Sequence, residues 1–199
     1  ADIILTSILL REKIVVDLLP LIDKFCGMLI IDEYETSILL NKNHIPVRRF
    51  FTIGHELGHY FIHRNQSSHF LDHKGNLNDN SDKNTIPIME QQANVFSSEL
   101  LMPSEVIYAM LSNKFSFYKI AKNIKVSYES LKWRLVRYCI ETYGLNNLQS
   151  MMVVEDYIAT SKVKLHHAAA IFDIESPYMM KAINILVNMY KQKKKGVYF

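Results

Sequence analysis

The chain has 199 residues, 49% of them hydrophobic with 11 Tyr and 10 Phe, which suffices for one ordinary core and excludes a disordered chain. The formal charge of +3 owes much to the terminal run Lys191, Lys193, Lys194 and Lys195 and names no partner. Cys26 and Cys139 lie outside any metal-binding spacing and fit buried, reduced thiols. There is no signal-peptide pattern, and no apolar run approaches the ~20 residues needed to span a bilayer, so cytoplasm without a membrane partner is the expected setting.

Residues 8–25 carry apolar positions at helical spacing, with a kink or restart expected at Pro20. Residues 28–31 (MLII) and 37–40 (SILL) read as two strands of a hairpin, separated by DEYET. A polar loop over 41–49 ends in Arg48 and Arg49, and a helix is expected over 50–63. Residues 64–87 are dense in Asn, Asp, Ser and Gly and read as a long loop, the kind of segment that serves as a lid. Pro87 precedes an amphipathic helix over 88–101, stopped by Pro103, and Ser104 is an N-cap for a helix over 105–112. Residues 117–138 have the grammar of two short helices with a tight turn at 124–127. Residues 165–190 form a second such pair, which suggests a weak internal repeat pairing Ala121, Ile124 and Val126 with Ala169, Phe172 and Ile174.

Residues 55–59 read His-Glu-Leu-Gly-His. Positions four apart on a helix share a face, with Cβ atoms roughly 6 Å apart, so His55 and His59 can point at one metal ion. Glu56 is rotated away from coordination but within reach of a water on that ion, whose proton a carboxylate can take. A five-residue match also arises by chance, leaving two half-buried histidines on an amphipathic helix. The flanking Phe50, Phe51, Ile53, Tyr60, Phe61 and Ile62, and the small Gly58, favour the metal site.

A catalytic zinc takes three protein ligands and keeps one position open. The metzincin route, HExxHxxGxxH, is closed because Ile62 and Asn65 occupy the required positions. His63 continues the same helical face, where a straight helix diverges from the metal, so it is expected at the rim or behind a ligand. A glutamate from the 88–101 helix is the other route, and it offers Glu90 and Glu99. Glu90 is preferred, because Asn94 one turn later could hold a ligand histidine by hydrogen bond and fix its tautomer. Asp72, Asp79 and Asp82 sit in the polar loop and would hold a metal poorly.

RRFFTIGHELGHYFIH, followed by EQQANVFSSELLMP, resembles the ImmA/IrrE family of zinc metallopeptidases. Their pattern is an FT-x-x-HELGH helix and then an E-x-x-AN-x-F-A-x-x-LLMP helix, with Ser97 here in place of the usual alanine, a departure expected to matter little. IAKNIKVSYESLKWRL is similar to the helix-turn-helix-like segment that follows the family's peptidase core, so the likeness covers about residues 27–138. It implies an α+β, zincin-like minimal core: a small antiparallel sheet, the HExxH helix and the Glu-bearing helix, then helical segments. It further implies zinc on His55, His59 and Glu90, Glu56 as general base, and a helix-turn-helix transcriptional repressor, often of a mobile element, as the protein substrate. Tyr60, His63, His69 and His73 are candidates for stabilising the transition state. The expected division is a core over 1–112, a helix-turn-helix-like segment over 113–144 and a helical appendage over 145–199.

A rival of another class is a DNA-binding regulator with a structural metal. Lys119, Lys122, Lys125, Lys132, Arg134 and Arg137 stand against one acid, Glu129, over 119–137. Leu131, Trp133 and Leu135 leave few free positions on the second helix, so direct DNA binding is not favoured.

Overall fold

A computed structural model describes residues 2–65, 69–73 and 88–163. Their contacts divide into two compact units, one of the described residues up to 103 with 124–127, the other of residues 104–123 with 128–163.

The first unit opens with α1, Asp2–Glu12, and β1, Ile14–Leu19. This corrects the helix expected over 8–25. Lys13 adopts a left-handed φ of 56°, which ends α1. The β-branched Ile14, Val15 and Val16 then pair in parallel with Thr36, Ser37 and Ile38. Pro20, which has no N–H to give a ladder, follows the last strand residue.

The hairpin is present as β2, Phe25–Ile31, and β3, Thr36–Asn41, antiparallel with Leu29 opposite Ile38. Its turn is closed by Asp32, whose Oδ1 accepts from the backbone N–H of Tyr34 at 2.8 Å and of Glu35 at 2.9 Å. The 64–87 stretch also contains a strand, β4, His69–His73, antiparallel to β2. The sheet order is therefore β1-β3-β2-β4, mixed rather than antiparallel. Residues 66–68 and 74–87, with Asp79 and Asp82, lie outside the described residues, as does the expected helix pair at 165–190 with its repeat.

Helix α2, Pro46–Gly58, starts four residues before the expected position. Pro46 needs no partner for a missing N–H at the first helical position, and Ile45 before it is extended, with ψ 151°. The helix lays Ile53 and Leu57 on the sheet face carrying Leu29, Ile38 and Leu40, all buried. It continues through a π-helical turn, His59–His63. Helix α3, Ile88–Leu101, has the bounds read from the sequence.

The second unit contains α4, Ser104–Ser112, most of α5, Phe117–Ile124, then α6, Tyr128–Tyr143, and α7, Asn147–Val163. The tight turn at 124–127 is made by Lys125 at φ 61°. Phe117, Ile120, Leu131, Leu135, Val154 and Tyr157 supply buried side chains. Neither cysteine is in a disulfide, and both are buried. Among the described residues, no helix is long and apolar enough to cross a membrane.

Candidate metal centre

Helix α2 presents His55 and His59 on its buried face, 2% and 1% exposed, and α3 crosses it with Glu90. The crossing is close because small residues meet there. A Cβ on Gly58 would stand 2.9 Å from Ala93 Cα, and one on Gly54 would stand 3.2 Å from Ser97 Cα. Ser97 also donates its hydroxyl to the Phe51 carbonyl at 2.8 Å, so the residue that departs from the family pattern ties α3 to α2.

Four atoms of three side chains converge where the helices meet. His55 Nε2 and His59 Nε2 are 3.1 Å apart, and Glu90 Oε2 and Oε1 lie 3.2 Å from the first and 3.3 Å from the second. For a tetrahedral ion bound at ~2.0–2.1 Å, neighbouring ligand atoms stand about 3.3 Å apart. These N···N and N···O spacings match those between corners of such a site. Two imidazoles and one carboxylate are also a donor set for zinc rather than for calcium or magnesium, which prefer oxygen. Among the described residues this is the one cluster of three or more metal-ligating side chains.

Burial alone would push the Glu90 carboxyl up, but hydrogen bonds and charge from His55 and His59 prevail and hold it down at about 2. Glu90 is thereby kept ionised, the form that can coordinate.

Glu56 is fully buried between α2 and β2. Gly27 of β2 makes room for it: a Cβ there would collide with the Thr52 side chain and stand 3.3 Å from Glu56 Oε1. The β2–β4 register slips between Phe25 and Gly27, a bulge that adjusts β2 at this level.

The remaining expected residues separate. Asn94 Oδ1 lies 3.0 Å from His55 Nδ1, the ring nitrogen facing away from the cluster. His63 is 1% exposed, so of the two places expected for it, at the rim or behind a ligand, it takes the second. The π-helical turn changes its direction relative to His59, and its Nδ1 comes 3.1 Å from His59 Nδ1. Tyr60 leads elsewhere, donating its hydroxyl to Glu12 Oε2 at 3.3 Å with Arg64 over its ring. His69 and His73 are the two ends of β4. Sequence reasoning missed Gln92, whose Oε1 lies 2.9 Å from His63 Nε2. Its spacing from Glu90 gave no signal, since residues two apart on a helix do not share a face.

The family model for the IrrE N-terminal-like domain matches residues 28–136, more than half of the chain, and spans both ligand helices. The chain belongs to this family, the ImmA/IrrE metallopeptidases. No curated protein matches it. Family and cluster together make the protein a metalloendopeptidase, acting on protein substrates.

Three of the six basic residues over 119–137 are engaged within the second unit. Lys132 pairs with Glu155 at 3.0 Å and Arg137 with Glu141 at 2.7 Å. Arg134 is 1% exposed and donates to Ser104 Oγ at 2.7 Å. Half of the footprint read from the sequence is thus spent on internal contacts.

Proposed function

We propose that the peptidase is a zinc enzyme with Glu56 as its general base, and that its substrate is a helix-turn-helix transcriptional repressor whose cleavage derepresses genes. The observation that carries the metal reading is the His55–His59–Glu90 cluster, with 3.1 Å between the two Nε2 atoms and 3.2 and 3.3 Å from them to the two Glu90 oxygens. The substrate class rests on the family likeness of residues 28–136.

A bound zinc supplies Lewis acidity towards a carbonyl and towards water. His55, His59 and Glu90 would hold it. Glu56 takes a proton as a water oxygen adds to the scissile carbonyl carbon, then returns it to the departing amine as the C–N bond breaks. Burial of Glu56 beside Gly27, one residue from His55, supports this role. In this reading, residues 1–112 carry the chemistry, and 113–144 and 145–199 serve docking or regulation.

The test incubates the zinc-loaded protein with a repressor encoded beside its gene. Wild type should cut the repressor, and Glu56→Gln should bind zinc yet cleave ~10²–10⁴-fold more slowly. Equal cleavage by both proteins rejects Glu56 as base, and an intact repressor with the wild type rejects the substrate.

A further inference from the structure

Both metal-facing histidines are hydrogen-bonded at the opposite ring nitrogen, by different routes. His55 Nδ1 meets an amide directly, Asn94 Oδ1 at 3.0 Å. His59 Nδ1 meets His63 Nδ1 at 3.1 Å, and His63 Nε2 then meets Gln92 Oε1 at 2.9 Å. His63 is buried and its contact with His59 forms away from bulk water, whereas Gln92 is exposed.

A neutral imidazole has one N–H and one lone pair. Two Nδ1 atoms can share a hydrogen bond only if one ring carries its proton there and the other does not. The protons along Gln92–His63–His59 therefore run one way or the other. In the first arrangement, Gln92 Oε1 accepts from His63 Nε2–H, and His63 Nδ1 accepts from His59 Nδ1–H. The lone pair of His59 Nε2 then faces the ligand triangle. In the second, the Gln92 amide is turned end for end and donates to His63 Nε2. His63 Nδ1–H then donates to His59 Nδ1, and His59 Nε2–H faces Glu90 Oε1, 3.3 Å away.

We propose that Gln92 and His63 are positioning residues that set the tautomer of His59, and that metal uptake moves the chain from the second arrangement to the first. His59 Nε2 gives its proton to solvent and the His63 Nδ1 proton passes to His59 Nδ1, while water supplies a proton to His63 Nε2 as the Gln92 amide turns its oxygen towards it. The proposal rests on the metal reading above. A primary amide suits the task because its donor and acceptor ends exchange places by a half-turn, whereas a carboxylate supports only the first arrangement. Asn94 serves His55 in the same way without an intermediary. Helix α3 thus carries the carboxylate ligand and both amides on which the histidine ligands depend.

The test measures zinc affinity by competition with a chromogenic chelator for wild type, Gln92→Leu, Gln92→Glu and His63→Phe, with a thermal melt to confirm folding. Imidazole ¹⁵N spectra of wild type, metal-free and zinc-loaded, report the tautomer of His63. His63 should carry its proton on Nδ1 without zinc and on Nε2 with it. Gln92→Leu and His63→Phe should lose about 10–100-fold in affinity, and Gln92→Glu should equal or exceed wild type. Wild-type affinity in both Gln92→Leu and His63→Phe overturns the relay, and if His63→Phe does not fold, Gln92→Leu alone decides. One His63 tautomer in both states overturns the amide switch. Failure of wild type to take up zinc overturns the metal reading and the relay with it, while zinc uptake without repressor cleavage counts against the substrate alone.

Discussion

Gly58 of α2 stands so close to Ala93 of α3 that a Cβ on the glycine would lie 2.9 Å from the alanine Cα. The obstacle is backbone, which cannot swing aside as a side chain can. In an open helix, Gly→Ala gains roughly 0.5–1 kcal/mol from backbone entropy. Here overpacking costs about 1–3 kcal/mol and outweighs that gain. Gly58→Ala should therefore lower the melting temperature. It should also weaken zinc binding, because Glu90 lies on the same helix one turn before Ala93. A variant with unchanged melt and unchanged affinity would show that the helix spacing does not set the site.

Asn94 meets the metal cluster at His55 Nδ1, at 3.0 Å. Removing it leaves the His55 ring without that anchor. Asn94→Ala should cost about 10–100-fold in zinc affinity, the usual scale for partners of ligand histidines. Asn94→Asp keeps an acceptor and should stay close to wild type. Isothermal titration calorimetry separates the two, and equal losses would mean that packing around Asn94, rather than its oxygen, holds the ring.

The legibility of these features in the sequence follows how local their causes are. The α3 bounds and the His55/His59 spacing were readable because helical periodicity and Pro87 and Pro103 encode them within a few residues. Glu90 needed only a second helix with a carboxylate near its start. The strand β1 was not readable, because IVVDLLPLI is apolar enough for either helix or strand. Its state is decided by parallel pairing with Thr36–Asn41, some twenty residues away. Strand β4 has a polar sequence, HFLDH, and is a strand because β2 offers it an edge. The Gln92–His63 contact joins two helices through a π-helical turn, and nothing in the spacing of either segment announces it.

Three of the six cations read as a nucleic-acid footprint are held inside the second unit: Lys132 and Arg137 in ion pairs, Arg134 by burial. Lys119, Lys122 and Lys125 are the exposed remainder. Each phosphate neutralised contributes about −0.9 to the slope of log affinity against log salt on duplex DNA. From this segment the slope should be no steeper than about −3, without sequence preference. Gel shifts over a salt series check it. A slope much steeper than that, with discrimination between sequences, would restore the DNA-binding regulator as a serious reading.

Cys139 of α6 and Tyr157 of α7 make the second unit sensitive to alkali. Burial pushes the Cys139 thiol up from 9.0 to about 12, and it pushes the Tyr157 phenol up as well. Tyr157 also donates its hydroxyl in a hydrogen bond to the Phe115 carbonyl, at 2.5 Å, which an ionised phenolate could not do. Above pH 9 the unfolded chain releases the Cys139 proton while the folded chain keeps it, so stability is intact below 9.0 and falls as pH rises towards 12. The loss from the thiol alone should reach about 1–3 kcal/mol near pH ~11. Urea unfolding between pH ~8 and ~11 measures it, with Cys139→Ala flattening part of the decline. Iodoacetamide should leave Cys139 unmodified in the native protein and label it once unfolded, since only the thiolate reacts. Fast native labelling at pH ~8 would mean that the thiol is neither buried nor raised, and the alkaline prediction would fall with it.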